Sequence, residues 1–321
     1  MKIKTKDTRP LHVRLRPQSL EEVIGQDAIV RSLAQQLSGD SVPHAYLLTG
    51  PSGVGKTTLA RILAKMSGCD DANIMEIDAA TNSGVDNMRV VTGMAQYRGI
   101  GESPNKFIII DEAHALSKAT FQSLLLSIEE PPPHVYWVLC TTESDKIPTT
   151  IKTRCAHYDL KPVDWEVLSE YLVVVTKQEK LEVAEPLCSL IARRAAGSVR
   201  QALQWLAMVN GVTDKTEINE ILENAEETVE AVDIAKALVS GRGITWKGMV
   251  EKVQALERIN SESVRIVIVN YIGAALLRTT SNQDAIRLLT ILQAFSTPFN
   301  SSEKQAPLLL ALGTVLFNNQ D

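Results

Sequence analysis

The chain has 321 residues with 33 basic and 38 acidic side chains, a net charge of −5 that excludes a uniformly basic coat for nucleic acid. A hydrophobic share of 45% with 22% charged residues excludes a disordered chain, and the 5% aromatic share favours a mostly helical protein with a smaller sheet over a β-sandwich. A length of this order accommodates two or three domains.

The opening stretch MKIKTKDTRPLHVRLRP is basic with no apolar run behind it, so it reads as neither a signal peptide nor a membrane span. Cys69, Cys140, Cys155 and Cys188 stand too far apart for a CxxC zinc site and read as buried thiols in a reducing cytoplasm. Up to about Leu160, short apolar runs alternate with amphipathic stretches. Ala45–Thr49, Ile74–Ile77, Phe107–Ile110 and Val135–Cys140 are expected as buried strands, with helices over Thr57–Met66, Val85–Ala95 and Lys118–Glu129 between them. That alternation implies an α/β domain with a parallel sheet over residues 1–160. Beyond it the β pattern fades. Helices are expected over Trp165–Thr176, Ala184–Ala196 and Val199–Asn210, forming a small helical domain over residues 161–222. Thr216–Ala235 continues as an acidic helix. Ile244–Glu257, Ser261–Leu277, Asn282–Phe295 and Ser302–Phe317 then make an all-helical domain over residues 223–321.

Gly50-Pro-Ser-Gly-Val-Gly-Lys56-Thr57 fits the phosphate-loop pattern G-x-x-x-x-G-K-[ST], with a strand before it and a helix after it. Gly50, Pro51, Ser52, Gly53, Val54, Gly55, Lys56, Thr57 and Thr58 would cradle the phosphates of ATP. Lys56 would reach the β- and γ-phosphates, and Thr57 would bind Mg2+. The strand Phe107–Ile110 runs into Asp111 and Glu112, where a carboxylate meets the nucleotide crevice of a parallel sheet. Asp111 would hold Mg2+ and Glu112 would polarise the attacking water. His114 reads equally well as a strand-end polar residue. Taken alone, Thr142 is a capping or solvated hydroxyl at a strand end, and Arg154 is a surface arginine after a short helix. Arg200 lies early in a helix, able to point back at phosphates. In the run Glu129 to Pro133 the prolines stop a helix ahead of a strand. The acidic stretch 214–233 reads as a solvated helix face.

Taken together, these blocks resemble the AAA+ clamp-loader ATPases: first the γ/τ subunits of bacterial DNA polymerase III, next the small subunits of replication factor C. The resemblance covers roughly residues 11–210. It rests on Leu15-Arg16-Pro17 with Glu22-Val-Ile-Gly25-Gln26, GPSGVGKTTLA, EIDAATNSGVDNMR, FIIIDEAHALS, SLLLSIEEPPPHVYWVLCTTESDKIPTTIKTRC and AAGSVRQAL. It implies that Arg16, Pro17, Val23 and Ile24 frame the adenine and ribose, and that Thr142 is a sensor 1 residue. It makes Arg154 an arginine finger acting on the neighbouring subunit's ATP, and Arg200 a sensor 2 residue on a lid domain. It also implies a helical collar after about residue 222, a five-membered ring with other subunits, a sliding clamp and primer–template DNA as partners, and a cytoplasmic place of action. Arg89, Arg98, Lys118 and Lys152 are the candidates for DNA contact.

The sequence departs from the family at several points. The cysteine-rich zinc module expected between the phosphate loop and Asp111 is missing, Leu15 replaces an aromatic, and TRC stands where SRC is usual. The chain also stops after one collar-sized region. These departures suit a shortened form, with a phage or mobile element as one compatible source. Two other readings are a non-hydrolysing structural subunit, which a degenerate phosphate loop would mark, and another AAA+ DNA motor such as a branch-migration helicase, which the TRC and IEEPPP blocks disfavour. Charge also separates along the chain: residues 1–65 carry 10 basic and 5 acidic side chains, whereas 214–233 carry 1 and 8. The acidity is thus concentrated away from the expected DNA channel.

Overall fold

The structure, a computed structural model, describes residues 8–39, 42–81, 84–101, 103–241, 245–256, 261–279, 281–299 and 305–317. The first seven residues of the basic opening stretch, Asn82 and Ser83 of the EIDAATNSGVDNMR block, and parts of the helices expected at 244–257 and 302–317 lie outside them. The chain divides into two compact units, Met1–Thr213 and Asp214–Asp321.

The first unit is built on five parallel strands: β1 (Ala45–Thr49), β2 (Ile74–Asp78), β3 (Lys106–Asp111), β4 (Val135–Thr141) and β5 (Ala156–Asp159), in the order β2-β3-β4-β1-β5. The register aligns the strand ends. Thr49 pairs with both Thr141 and Asp159, and Asp78 with Asp111, so the C-terminal edge carries the polar ends of all five strands. In such sheets the ligand crevice lies at that edge.

Side chains alternate between the two faces. Ala45, Leu47, Ile108, Ile110, Val135, Trp137 and Leu139 pack in one layer with α4 (Val85–Ala95) and α5 (Lys118–Glu129). Tyr46, Leu48, Phe107, Ile109, Val138 and Cys140 pack in the other, with α2 (Asp27–Leu37) and α3 (Lys56–Met66). Burial on both faces explains why β1, β3 and β4 read as continuous apolar runs. Leu47 is fully buried, so Leu47→Ala is expected to cost about 3 kcal/mol; urea unfolding followed by circular dichroism measures it.

Two short helices flank the sheet, α1 (Leu11–Arg14) ahead of it and α6 (Thr149–Lys152) before β5. Beyond β5 come α7 (Trp165–Glu179), α8 (Glu185–Arg194) and α9 (Val199–Met208). Arg193 lies 3.6 Å over the Trp165 ring and ties α8 to α7. Buried Gln26 bonds the backbone of Lys161 from both ends of its amide, donating to the carbonyl at 2.7 Å and accepting the N–H at 3.3 Å. This pairing anchors the chain where it leaves the sheet.

The second unit is all helical: α10 (Lys215–Ser240), α11 (Trp246–Ala255), α12 (Ser261–Leu276), α13 (Asn282–Ala294) and α14 (Ala306–Phe317). Ile234 and Leu238 of α10, Met249 and Val253 of α11, Ile268 and Ile272 of α12, Ile291 of α13 and Leu312 of α14 share its core. Near 160 the compact unit continues without division, and 222 falls inside α10, an unbroken helix of 26 residues. The division falls at 213/214, where Asp214 caps α10 by accepting the N–H groups of Thr216 and Glu217 at 2.8 and 3.0 Å.

Candidate functional site

After Thr49 the chain turns through Gly50 to Gly55 and enters α3. Two glycines make that turn possible. Gly50 has φ +136°, and a Cβ there would stand 2.3 Å from the Leu160 carbonyl oxygen. Gly53 has φ +80°, and a Cβ would stand 2.0 Å from Ser198 Oγ. The loop therefore packs directly on the start of α9. The Arg200 N–H donates to the Gly53 carbonyl at 3.4 Å, and Ser198 Oγ caps α9 by accepting the Gln201 N–H at 3.3 Å. Gly53→Ala is expected to weaken ATP affinity by about tenfold, because strain and overlap together displace the loop. Adding Ser198→Gly should recover part of the loss; equal affinities for the single and double variants, by calorimetry, would refute the contact.

Ser52 to Thr58 line a cleft together with Asp111, Glu112 and Arg200. The N-terminus of α3 opens onto it, adding the positive end of a helix dipole. Lys56 is buried, and its ammonium donates to the carbonyls of Gly50 and Pro51 at 2.8 and 2.7 Å. Burial pushes the Lys56 pKa down, against the pull of Glu112 and Asp111. Gly50 and Pro51 thus touch Lys56 through their carbonyls and do not line the cleft.

The Thr57 hydroxyl donates to Asp111 Oδ2 at 2.9 Å, joining the two residues expected at the metal. Among the described residues no group of three or more His, Cys, Asp and Glu side chains could hold an ion unaided. The Thr57–Asp111 pair fits a divalent cation that would take further oxygen ligands from outside the protein.

Glu112 follows in a left-handed conformation, φ +49°, with its N–H donating to Asp111 Oδ1 at 3.0 Å. The Thr142 hydroxyl donates to Glu112 Oε2 at 3.3 Å. His114 proves to be part of this cluster. Its Nδ1 lies 3.4 Å from Glu112 Oε2 and 3.1 Å from Thr141 Oγ1, and its Nε2 lies 3.2 Å from Glu143 Oε1. Thr142 stands outside the cleft lining and reaches it through Glu112.

Arg16 and Arg200 enter the same cleft, and no described carboxylate forms an ion pair with either. Burial pushes the Arg16 guanidinium below its ordinary pKa, with Arg61 and Arg200 adding to the effect. Pro17, Val23 and Ile24 supply apolar wall, as do Leu15, Val199 and Leu203, which lie within the motif blocks without an assigned role. His12, Glu22 and Tyr171 also line it, and His12 is held below its usual pKa by burial and by Arg200 and Arg16. An apolar wall beside three cations, Lys56, Arg16 and Arg200, fits a nucleoside triphosphate.

Arg154 does not reach this cleft. Its guanidinium bonds Glu129 Oε1 at 2.8 Å and the Thr150 carbonyl at 2.9 Å, on the exposed surface beside α5 and α6. Of the basic residues considered for DNA, Arg89, Arg98 and Lys118 are exposed and Lys152 is half-buried; Arg89 pairs with Asp86 at 3.2 Å.

Comparison with known proteins accords with this architecture. The family model described as "DNA polymerase III, delta subunit" matches residues 25–88 and 72–164. The chain is 32% identical to the DNA polymerase III subunit tau of Escherichia coli over 284 residues, which is 76% of this chain and 44% of the relative. It is 36% identical to the subunit gamma of Buchnera aphidicola over 212 residues, 60% of this chain and 58% of that one. The tau/gamma subunit of Haemophilus influenzae is 32% identical over 71% of this chain and 36% of the relative. The chain thus spans between 36% and 58% of the length of these curated relatives. Among solved structures, the Thermotoga maritima RuvB Holliday junction branch migration motor aligns with a TM-score of 0.56 and 23% identity, over 75% of this chain and 85% of that one. At that identity the likeness speaks for the AAA+ fold alone. No described helix is long and apolar enough to cross a membrane. With the phosphate loop, the Asp-Glu strand end and the sheet order in place, the chain belongs to the AAA+ clamp-loader family of the DNA polymerase III γ/τ subunits.

Proposed function

We propose that the chain is an ATPase subunit of a sliding-clamp loader, hydrolysing ATP at a site shared between adjacent subunits. The observation that carries this reading is the division of the site. Lys56, Thr57, Asp111, Glu112 and Arg200 surround one cleft, while Arg154 stands outside it on an exposed edge. A complete phosphate-handling cleft that lacks its own finger suits an enzyme that borrows an arginine from a neighbour.

In this mechanism Lys56 and Arg200 bind the phosphates, and Arg16 adds a third cation. Pro17, Val23 and Ile24 frame the base and ribose. Thr57 and Asp111 would hold Mg2+, which would supply charge neutralisation on the phosphate oxygens. Glu112, oriented by Thr142, takes the proton of the attacking water, and Arg154 of the adjacent subunit neutralises charge that develops in transfer. The helices α7–α9 serve as the lid and the second unit as the ring collar. Arg89, Arg98, Lys118 and Lys152 contact the DNA backbone from the ring's inner face, which would make loading salt-dependent. The partners are other loader subunits, a ring-shaped clamp and primer–template DNA, at the replication fork of a bacterial cytoplasm or of an infecting phage.

A branch-migration motor shares the fold, but its sequence likeness is weaker than that of the polymerase subunits. A non-hydrolysing subunit is disfavoured by the bonded Glu112–Thr142 and Thr57–Asp111 pairs. The test uses the assembly isolated through a tag on the full chain, with labelled clamp from the same source and end-blocked primer–template. The clamp should remain topologically linked to DNA after ATP and Mg2+ are supplied, and fail to do so with Lys56→Ala. Processive unwinding of duplex DNA without clamp retention would overturn the reading.

A further inference from the structure

We propose that Glu129, the last residue of α5, is a positioning residue that preorients Arg154 for the neighbouring subunit's ATP. The inference rests on the shared-site reading above and extends it to a residue whose segment, IEEPPP, otherwise only ends a helix.

The geometry is specific. Arg154 follows α6, and two of its guanidinium nitrogens are held: one by the Thr150 carbonyl one turn back, the other by Glu129 Oε1 at 2.8 Å from a different helix. Two anchors from two elements fix both the position and the plane of the guanidinium. A terminal carboxylate at a helix C-terminus is normally unfavourable, because the dipole there is already negative. At α5 that carboxylate faces an arginine, which offsets the repulsion. Pro131, Pro132 and Pro133 end α5 just after Glu129 and so fix where its side chain can reach.

The strength of the pair decides between positioning and inhibition. Both side chains are partly exposed, 34% for Arg154 and 50% for Glu129. A pair of this kind shifts an equilibrium by no more than about fivefold. That is too weak to hold an arginine away from a triphosphate, which offers a denser anion. It is enough to favour one rotamer of a long side chain that otherwise samples many. Glu129 therefore orders the finger without competing with its target, and the remaining N–H groups of Arg154 stay available to phosphate.

The test compares ATP turnover by the tagged full-chain assembly carrying Glu129→Ala, Glu129→Gln or Arg154→Ala. Glu129→Ala should lower kcat about three- to fivefold with KM for ATP and the thermal midpoint unchanged. Glu129→Gln, which keeps an acceptor oxygen without the charge, should fall between it and the unsubstituted chain. The deficit should shrink as salt rises, because an exposed pair is screened. A rise in kcat for Glu129→Ala would make the contact a latch and overturn the inference; so would an unchanged kcat while Arg154→Ala abolishes turnover. Full turnover in Arg154→Ala would instead remove the shared-site reading, and this inference with it.

Discussion

Arg154→Ala is expected to lower ATP turnover by about 10³-fold or more while leaving ATP affinity within twofold. The asymmetry follows from placement. Arg154 touches Glu129 and Thr150 and contributes nothing to the walls of its own subunit's cleft, so removing it takes no contact from the nucleotide that subunit binds. In the transition state of phosphoryl transfer, charge spreads over the equatorial oxygens, and a guanidinium supplied from outside acts there and not in the ground state. Mixing provides a second reading. Lys56→Ala subunits cannot hold the phosphates but keep Arg154, and Arg154→Ala subunits hold ATP but offer no finger. An equimolar mixed assembly should regain turnover that neither variant shows alone. Turnover within tenfold of the unsubstituted assembly for Arg154→Ala would place the residue outside the chemistry.

The parts of the fold that were legible are those whose signals are local. β1, β3 and β4 are apolar on both faces, so their runs stand out whatever surrounds them. The turn from β1 into α3 needs glycines at φ +136° and +80° and leaves them in the sequence as a motif. β5 carries no such signal, being a four-residue edge strand, AHYD, with polar residues at alternate positions. The helix α2 escaped although its signal is present: Ile29, Val30, Leu33 and Leu37 recur at helical spacing behind Asp27. The compact units divide at 213/214, and 222 lies inside α10. The buried series Ile218, Leu222, Ala231, Ile234 and Leu238 carries the helix straight through.

The candidate site divides in the same way. Lys56 and Thr57 open α3 just after the β1 turn, and Asp111 and Glu112 stand at the end of β3, where residue order alone sets their neighbours. Tyr171 reaches the cleft from α7, far along the chain, and nothing near it announces the contact. His12 comes from α1, whose four residues carry no periodic pattern. His114 was ambiguous because its partners, Thr141 and Glu143, lie on another strand's end. Tertiary closure makes these residues part of the site, and it leaves no mark at the level of motif spacing.

Glu112→Gln is expected to lower turnover by about 10²- to 10⁴-fold, the range for loss of a positioned general base. The substitution should leave the site otherwise intact. Glutamine has the same shape, its backbone N–H can still donate to Asp111 Oδ1, and its amide oxygen can still accept from Thr142. The left-handed backbone at φ +49° strains both residues alike. What disappears is the carboxylate's ability to accept a proton. Nucleotide affinity should hold or rise, because removing an anion from a cleft that binds a polyanion relieves repulsion, which outweighs the loss of the support Glu112 gives to the Lys56 charge. Single-turnover hydrolysis and equilibrium binding separate the two effects. Retained hydrolysis within tenfold would move the base elsewhere, and the geometry names the next candidate: Glu143, bonded to the far side of the same His114 ring.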